Sequence, residues 1–374
     1  MRKIIYADNA ATTKIDMDAF DAMKRYLVEE FGNASQPYTF AKMAKKALAD
    51  ARAIIAKCIG AKPEEIYFTS GGTESDNWAI KGMMDHDDHR VTITSKIEHH
   101  AILNACASVE KMGFPVEYLS VGSDGVIRPD VLRQRITDSA KIVSVMLVNN
   151  EIGTIEPVSE LAGIAHEHGA LFHTDAVQAI GHIPVNVEEL QVDMLSASGH
   201  KFNGPKGVGF LYVKKGTPLR AYIDGGTQEF GMRAGTENIA AIVAMAVALK
   251  KNCYNMTDTS VKLQHMETDF ILTLEKSGID FIRNGADNRI PGIINISIRG
   301  INGEMLLHRL DLKRMYISTG SACDSVNIQI SHVIEAIGVP ADYAEGTVRI
   351  SFGRDNDEED AVLIAKAIVD VVKK

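Results

Sequence analysis

Lys201 stands in "SASGHKFNGPKGVGFLYV" (196–213), at the end of an apolar, strand-like run and among glycines, serines and a histidine. A lysine there is costly to desolvate and has no carboxylate beside it in sequence. It is either an ordinary turn lysine or an amine meant to react. Other reactive types recur after similar runs. "TSGGTESDN" (69–77) places Gly72 and Thr73 at a helix start, where N–H groups and the helix dipole favour an anion. A plain strand–turn–helix with a Ser/Thr cap is an equal alternative, and the stretch matches neither the P-loop nor the dinucleotide fingerprint. Asp175 and Gln178 lie in "FHTDAVQAIG". A carboxylate after a buried strand needs a cationic partner, such as a protonated ring nitrogen, with Gln178 one helical turn on; the alternative is a helix N-cap. His99 and His100 in "SKIEHHAIL" have no partners at metal spacing, so no metal site is expected. One of them stacking on a planar cofactor, or moving a proton, fits better. Arg349 in "GTVRISF" offers a guanidinium fork to a carboxylate, with a structural ion pair as the commoner alternative.

Each signal is weak singly. Together they form an inventory of phosphate cradle, ring-nitrogen partner, stacking histidine, reactive lysine and carboxylate clamp. Pyridoxal phosphate needs that set: Lys201 would form a Schiff base with it, and desolvation would lower the pKa of the amine.

The elements that must position these residues are legible as alternating patterns. "EIYFTS" (65–70), "VTITS" (91–95), "VEYL" (116–119), "KIVSVMLV" (141–148), "ALFHT" (170–174), "DMLSAS" (193–198) and "GFLYV" (209–213) read as strands, with helical spacing between most of them. The fold expected is α/β, with a mostly parallel, doubly wound sheet whose strand ends gather the residues above. After a helix near 237–252 the texture changes to strands "IINISIRG", "MYIS" and "TVRISF" with a closing amphipathic helix near 357–373. The expected organisation is a large cofactor-binding domain over 16–250 and a smaller α+β domain formed by 1–15 and 251–374.

Composition narrows the function. The 374 residues carry a net charge of −9, which argues against nucleic-acid binding. The longest apolar run, 239–249, is too short to span a bilayer, and "MRKIIYADNAATT" turns polar early, so a cytoplasmic protein without signal peptide or membrane partner is expected. The four cysteines form no C-x-x-C pair. Cys58, Cys106 and Cys253 read as core residues in helices, whereas Cys323 in "STGSACDS" sits among small polar residues.

"YADNAATT", "FTSGGTESDN", "EHHA", "NNEIGTIEP", "HTDAVQAIG", "SASGHKFNGPKG", "GMRAGTEN", "STGSAC" and "VRISFG", in that order along essentially the whole chain, resemble the cysteine desulfurases, class-V members of the fold type I pyridoxal-phosphate enzymes. The resemblance implies that Gly72, Thr73, Ser198 and His200 hold the phosphate, with Thr236 supplied by the partner of a homodimer. It implies Lys201 as the Schiff-base lysine, Asp175 on the pyridine nitrogen, Gln178 on the ring hydroxyl and His99 on the ring face. Asn33, Asn150 and Arg349 would take the substrate, Asn150 also reaching the cofactor, and Cys323 would receive the sulfur. The spacing from Cys323 to "AIG" (336–338) is similar to the subgroup whose cysteine rides a longer, mobile loop. The family's "RSGT" and "GNPSS-x-H" are here "RAGT" and "GNASQPY", and its Leu-Glu-Pro-type segment is "CDSVNIQISHVIEAIG". The implied reaction converts L-cysteine to L-alanine and passes the sulfur to a protein acceptor such as an iron–sulfur scaffold, with cluster ligation by Cys323 during transfer, or to tRNA or cofactor thiolation. Selenocysteine cleavage, transamination and a non-enzymatic scaffold are the rival readings.

Overall fold

The computed structural model describes residues 3–85, 88–319 and 330–373. Among these described residues twelve strands run in chain order: β1 (Ile5–Tyr6), β2 (Ile66–Thr69), β3 (Val91–Ser95), β4 (Val116–Leu119), β5 (Ala140–Ser144), β6 (Leu171–Asp175), β7 (Met194–Ser198), β8 (Gly209–Val213), β9 (Phe281–Arg283), β10 (Ile293–Ile298), β11 (Met315–Tyr316) and β12 (Thr347–Ser351). Seven of them form one sheet in the order β2-β8-β7-β6-β5-β3-β4. All its neighbours are parallel except where β8 meets β2 and β7.

Successive side chains of a strand point to opposite faces, and here both faces are apolar. Ile142, Met194 and Leu211 enter a core with Trp78, Ile102 and Val109, while Val143, Leu195 and Phe210 enter another with Ile55, Leu161 and Leu249. Continuous apolar runs rather than alternation are the sequence mark of such a doubly covered sheet, as expected. The run "KIVSVMLV" is regular strand only to Ser144; beyond it Val145 and Leu147 still donate to the His173 and Asp175 carbonyls of β6 as the chain leads towards Asn150.

A second, antiparallel sheet, β12-β10-β9, packs Ile294, Ile296 and Ile350 against Phe270, Leu306 and Ile364 from three helices. The helix expected near 237–252 in fact runs unbroken over Ile239–Ser277, ending at Gly278 with φ 73°. Its first half (Ala241–Leu249) packs in the large-sheet core and its second (Leu263–Leu274) in the small-sheet core. The stretch between them reads as a break in sequence because its residues are mostly polar. The short β1 pairs in parallel with β11, and Asp8 bridges to Ser351, so the N-terminal strand passes alongside the second sheet before reaching the first.

Cys106 is buried as expected, but Cys58 and Cys253 are half-exposed and line a common surface cavity. Cys58 donates to the Cys253 sulfur, which lowers the pKa of Cys253 and raises that of Cys58. Their helices, Lys42–Ile59 and Ile239–Ser277, pack side by side.

Candidate active site

The carboxyl ends of the parallel strands open onto one cavity of about 410 Å³. Gly72, Thr73, His99, Asn150, Asp175, Gln178, Ser198, His200, Lys201 and Arg349 all line it. Asn33 and Thr236 do not. Asn33 accepts the Ser35 N–H at 2.9 Å, closing a local turn, and Thr236 is exposed. Cys323 lies outside the described residues.

Lys201 follows β7 on a single helical turn, Gly199–Lys201. Its Nζ donates to the carbonyls of Ala10 at 2.6 Å and Ala11 at 3.0 Å, and the His182 ring meets its backbone carbonyl at 3.0 Å. Gln178 Nε2 donates to the same Ala10 carbonyl at 2.8 Å. The N-terminal strand therefore forms a wall of the cavity. "YADNAATT" was legible as a motif, but nothing in its residue types assigns a task to two backbone carbonyls.

At the end of β2, Gly71 has φ 151° and the helix Gly72–Lys81 begins without a side-chain cap. A Cβ on Gly72 would lie 2.7 Å from Val177 Cγ2, so only glycine permits this approach. The result is a set of first-turn N–H groups facing the cavity, suited to an anion.

Asp175 closes β6, and its Oδ1 accepts the Val177 N–H at 2.9 Å. The segment after it is a run of turns rather than the expected helix, so Gln178 is placed by its bond to Ala10 and not by helical periodicity. Burial pushes the Asp175 carboxyl up to about 6, against the opposing pull of the Val177 N–H and the Lys201 charge. His99 caps the helix His100–Lys111: its Nδ1 accepts the Ala101 N–H at 3.1 Å, which places the ring hydrogen on Nε2. Burial, and then Lys201, lower its pKa to about 4, so the ring is neutral at pH 7. His100 points elsewhere, within ring contact of His332 (4.8 Å between centroids). His200 is likewise held neutral, lowered to about 4 chiefly by burial, with Nδ1 3.1 Å from Thr12 Oγ1.

Arg349 makes the ion pair that was the alternative reading. Its Nη2 pairs with Asp8 at 2.8 Å and its Nη1 donates to the Asn150 carbonyl at 3.0 Å, yet its buried Nε has no partner among the described residues. One further residue escaped the sequence reading: Asp76, buried at the cavity floor, with Oδ1 lacking a hydrogen-bond partner among the described residues. Atoms of Asp76, His99 and Asp175 lie within 4.8 Å of one another, the one such metal-capable group among the described residues. It lies within this same cavity.

With this geometry in view, the comparisons are decisive. The model of the aminotransferase class-V family matches residues 5–363. The chain belongs to that family. Among its class-V relatives, cysteine desulfurase IscS of Dictyoglomus turgidum is 45% identical over 377 aligned positions, covering 100% of this chain and 96% of that protein. The protein of the same name from Methanosarcina thermophila is 44% identical, covering 100% and 93%. Among solved structures, a class-V neighbour described as a NifS-like protein superposes with a TM-score of 0.93 at 35% identity, over 100% of both chains. Another, SspA in complex with cysteine, gives 0.83 at 34% identity over 93% of this chain and 99% of that one.

Proposed function

We propose that this class-V chain is a pyridoxal-phosphate-dependent cysteine desulfurase, which releases L-alanine from L-cysteine and carries the sulfur as a persulfide on Cys323. One observation carries the reading: Lys201, Asp175, His99 and the Gly71–Gly72 turn surround a single cavity. The donor set fits the cofactor. The glycine approach at 72 leaves backbone N–H groups for a phosphate, and the floor is acidic where a ring nitrogen needs a counter-charge. The orphaned Arg349 Nε is a buried donor awaiting an acceptor.

In this reading Gly72, Thr73, Ser198 and His200 hold the phosphate, joined by Thr236 from a second copy. The exposed Phe31, Tyr38, Phe40 and Met43 support a homodimer that would cover them. Asp175 faces the ring nitrogen, Gln178 the ring hydroxyl and neutral His99 the ring face. Asn33, Asn150 and Arg349 take the substrate, the guanidinium gripping its carboxylate. When bound, the cofactor supplies an electron sink joined to the substrate amine. Lys201 Nζ, poised on the Ala10 and Ala11 carbonyls, moves the proton at the substrate α-carbon. The Cys323 thiolate attacks the substrate sulfur: the carbon–sulfur bond breaks, a sulfur–sulfur bond forms, and alanine departs. The persulfide then passes to a protein acceptor such as an iron–sulfur scaffold, in the cytoplasm. The division into units 16–250 and 1–15 with 251–374 belongs to the same proposal, the helix Ile239–Ser277 being shared between them. Among the described residues no helix is long and apolar enough to cross a membrane.

The test is borohydride reduction of the yellow protein followed by peptide mapping. A label on Lys201 is expected, together with alanine and sulfide from L-cysteine and a thiol reductant. Cys323→Ala should keep the colour and lose the persulfide; Lys201→Ala should lose the normal colour and turnover. A colourless protein, or a label elsewhere, overturns the reading.

A further inference from the structure

Asp76 is an acid with no role assigned so far. It lies on the helix Gly72–Lys81, one turn past the glycine approach, and is 1% exposed. The Ser196 hydroxyl hydrogen-bonds its carboxyl. Its Oδ1, without a hydrogen-bond partner among the described residues, lies 3.8 Å from His173 Nε2. His173 is itself fully engaged, Nδ1 with Ser144 Oγ at 2.8 Å and Nε2 with Ser196 Oγ at 2.9 Å. Burial lowers the His173 pKa to about 3, so the ring offers Asp76 no charge.

The groups around Asp76 come from every neighbouring element. β6 brings Asp175 and His173, β7 brings Ser196, and the segment after β3 brings Glu98 and His99. Two of these, Asp175 and Glu98, are acids that oppose ionisation of Asp76, and the histidines are neutral. The Lys201 charge acts on Asp175. A second anion within about 5 Å of the first, in a site this dry, would move a pKa by about two units. The floor therefore holds one anion and one proton between Asp76 and Asp175. Asp175 has the Val177 N–H and the Lys201 charge to stabilise its anion, whereas Asp76 has a single hydroxyl.

We infer that Asp76 is a positioning residue for Asp175: a neutral carboxylic acid, anchored by the Ser196–His173–Ser144 chain, that leaves Asp175 as the single anion beneath the bound ring. The inference rests on the cofactor reading above. A single counter-charge matches a single ring-nitrogen proton; a doubly anionic floor would over-stabilise that proton and shift the titration of the cofactor's visible band.

The experiment uses the holoprotein and three readouts that do not depend on turnover. Asp76→Asn keeps shape and neutrality. It should leave the pH midpoint of the visible absorbance within about half a unit and cofactor affinity within about threefold, since one tenfold step corresponds to a full hydrogen bond's worth of change. In the infrared at pH 7, the wild type minus this variant should leave a positive protonated-carboxyl difference band, the Glu156 contribution cancelling. Asp76→Leu, which removes the acceptor of the Ser196 hydroxyl, should weaken cofactor affinity about tenfold or more. The inference is overturned if Asp76→Asn moves the midpoint by about one unit or more or loses the cofactor, if the infrared band is unchanged, or if Asp76→Leu binds like wild type. A wild type without a visible band fails the cofactor reading instead, so the two failures are distinct.

Discussion

Two buried carboxylates in this molecule are treated in opposite ways. Glu229 is met by the Arg52 guanidinium in a bidentate pair, Nη1 to Oε2 at 2.8 Å and Nη2 to Oε1 at 2.7 Å, and also accepts the Phe68 N–H at 2.8 Å. Arg52 in turn donates to the Ile66 carbonyl and lies against Phe68 and Phe230. Asp175 has one backbone N–H and a distant ammonium, and Asp76 behind it has the Ser196 hydroxyl but no cation. The difference teaches what each acid is for. Glu229 has φ 45° and Phe230 φ 59°, a conformation non-glycine residues adopt at a cost, and the saturated ion pair holds that turn in place. The cavity floor is left short of positive charge, as the ring nitrogen of the proposed cofactor would require.

That contrast is open to direct attack. Glu229→Gln leaves a buried guanidinium underpaired and should cost about 3–5 kcal/mol, read as a fall in calorimetric Tm. An unchanged Tm would make the pair dispensable and the comparison empty. Asp175→Asn should do the reverse, cutting turnover by about 10²–10³-fold while leaving Tm level or higher, because it removes the anion and not a structural tie. Arg349→Lys keeps the charge but loses the fork; a rise in KM for L-cysteine of about tenfold is expected with a smaller change in kcat, measured by alanine release. The smallest effect concerns Glu156, whose Oε2 accepts the Ile127 N–H while Oε1 is buried without a partner among the described residues. Burial raises its carboxyl to about 8. The native state thus keeps a proton that the unfolded chain releases near 4.5, so stability falls as pH rises between those values. Glu156→Gln should flatten that slope in melts at pH 5 and pH 8, whereas Glu229→Gln should lower both melts.

Much of the site was legible because its residues sit where strands end, and strands announce themselves by runs of apolar side chains. Lys201, Asp175, His99 and Gly72 could be picked out one by one on that basis. Asp76 could not, since an acid one turn into a helix looks like a solvated residue until the helix is laid across β7. Asp8 was equally silent, although it is the partner that turns Arg349. Likewise Cys58 and Cys253 each read as an isolated core thiol, and only the packing of two helices makes them a pair. The long helix to Ser277 was cut short in the sequence reading because its polar middle mimics a boundary.

What the chain determined alone is what short-range stereochemistry controls: the two-residue period of the strands and the helix that stops at Gly60 with φ 71°. The tertiary structure decided the pairings across large separations: Lys201 with Ala10, 191 residues apart, and Arg349 with Asp8, 341 apart. Sheet order and the path of the N-terminal strand set those encounters. Both depend on which apolar faces are buried together, a property of the whole chain that no local window contains.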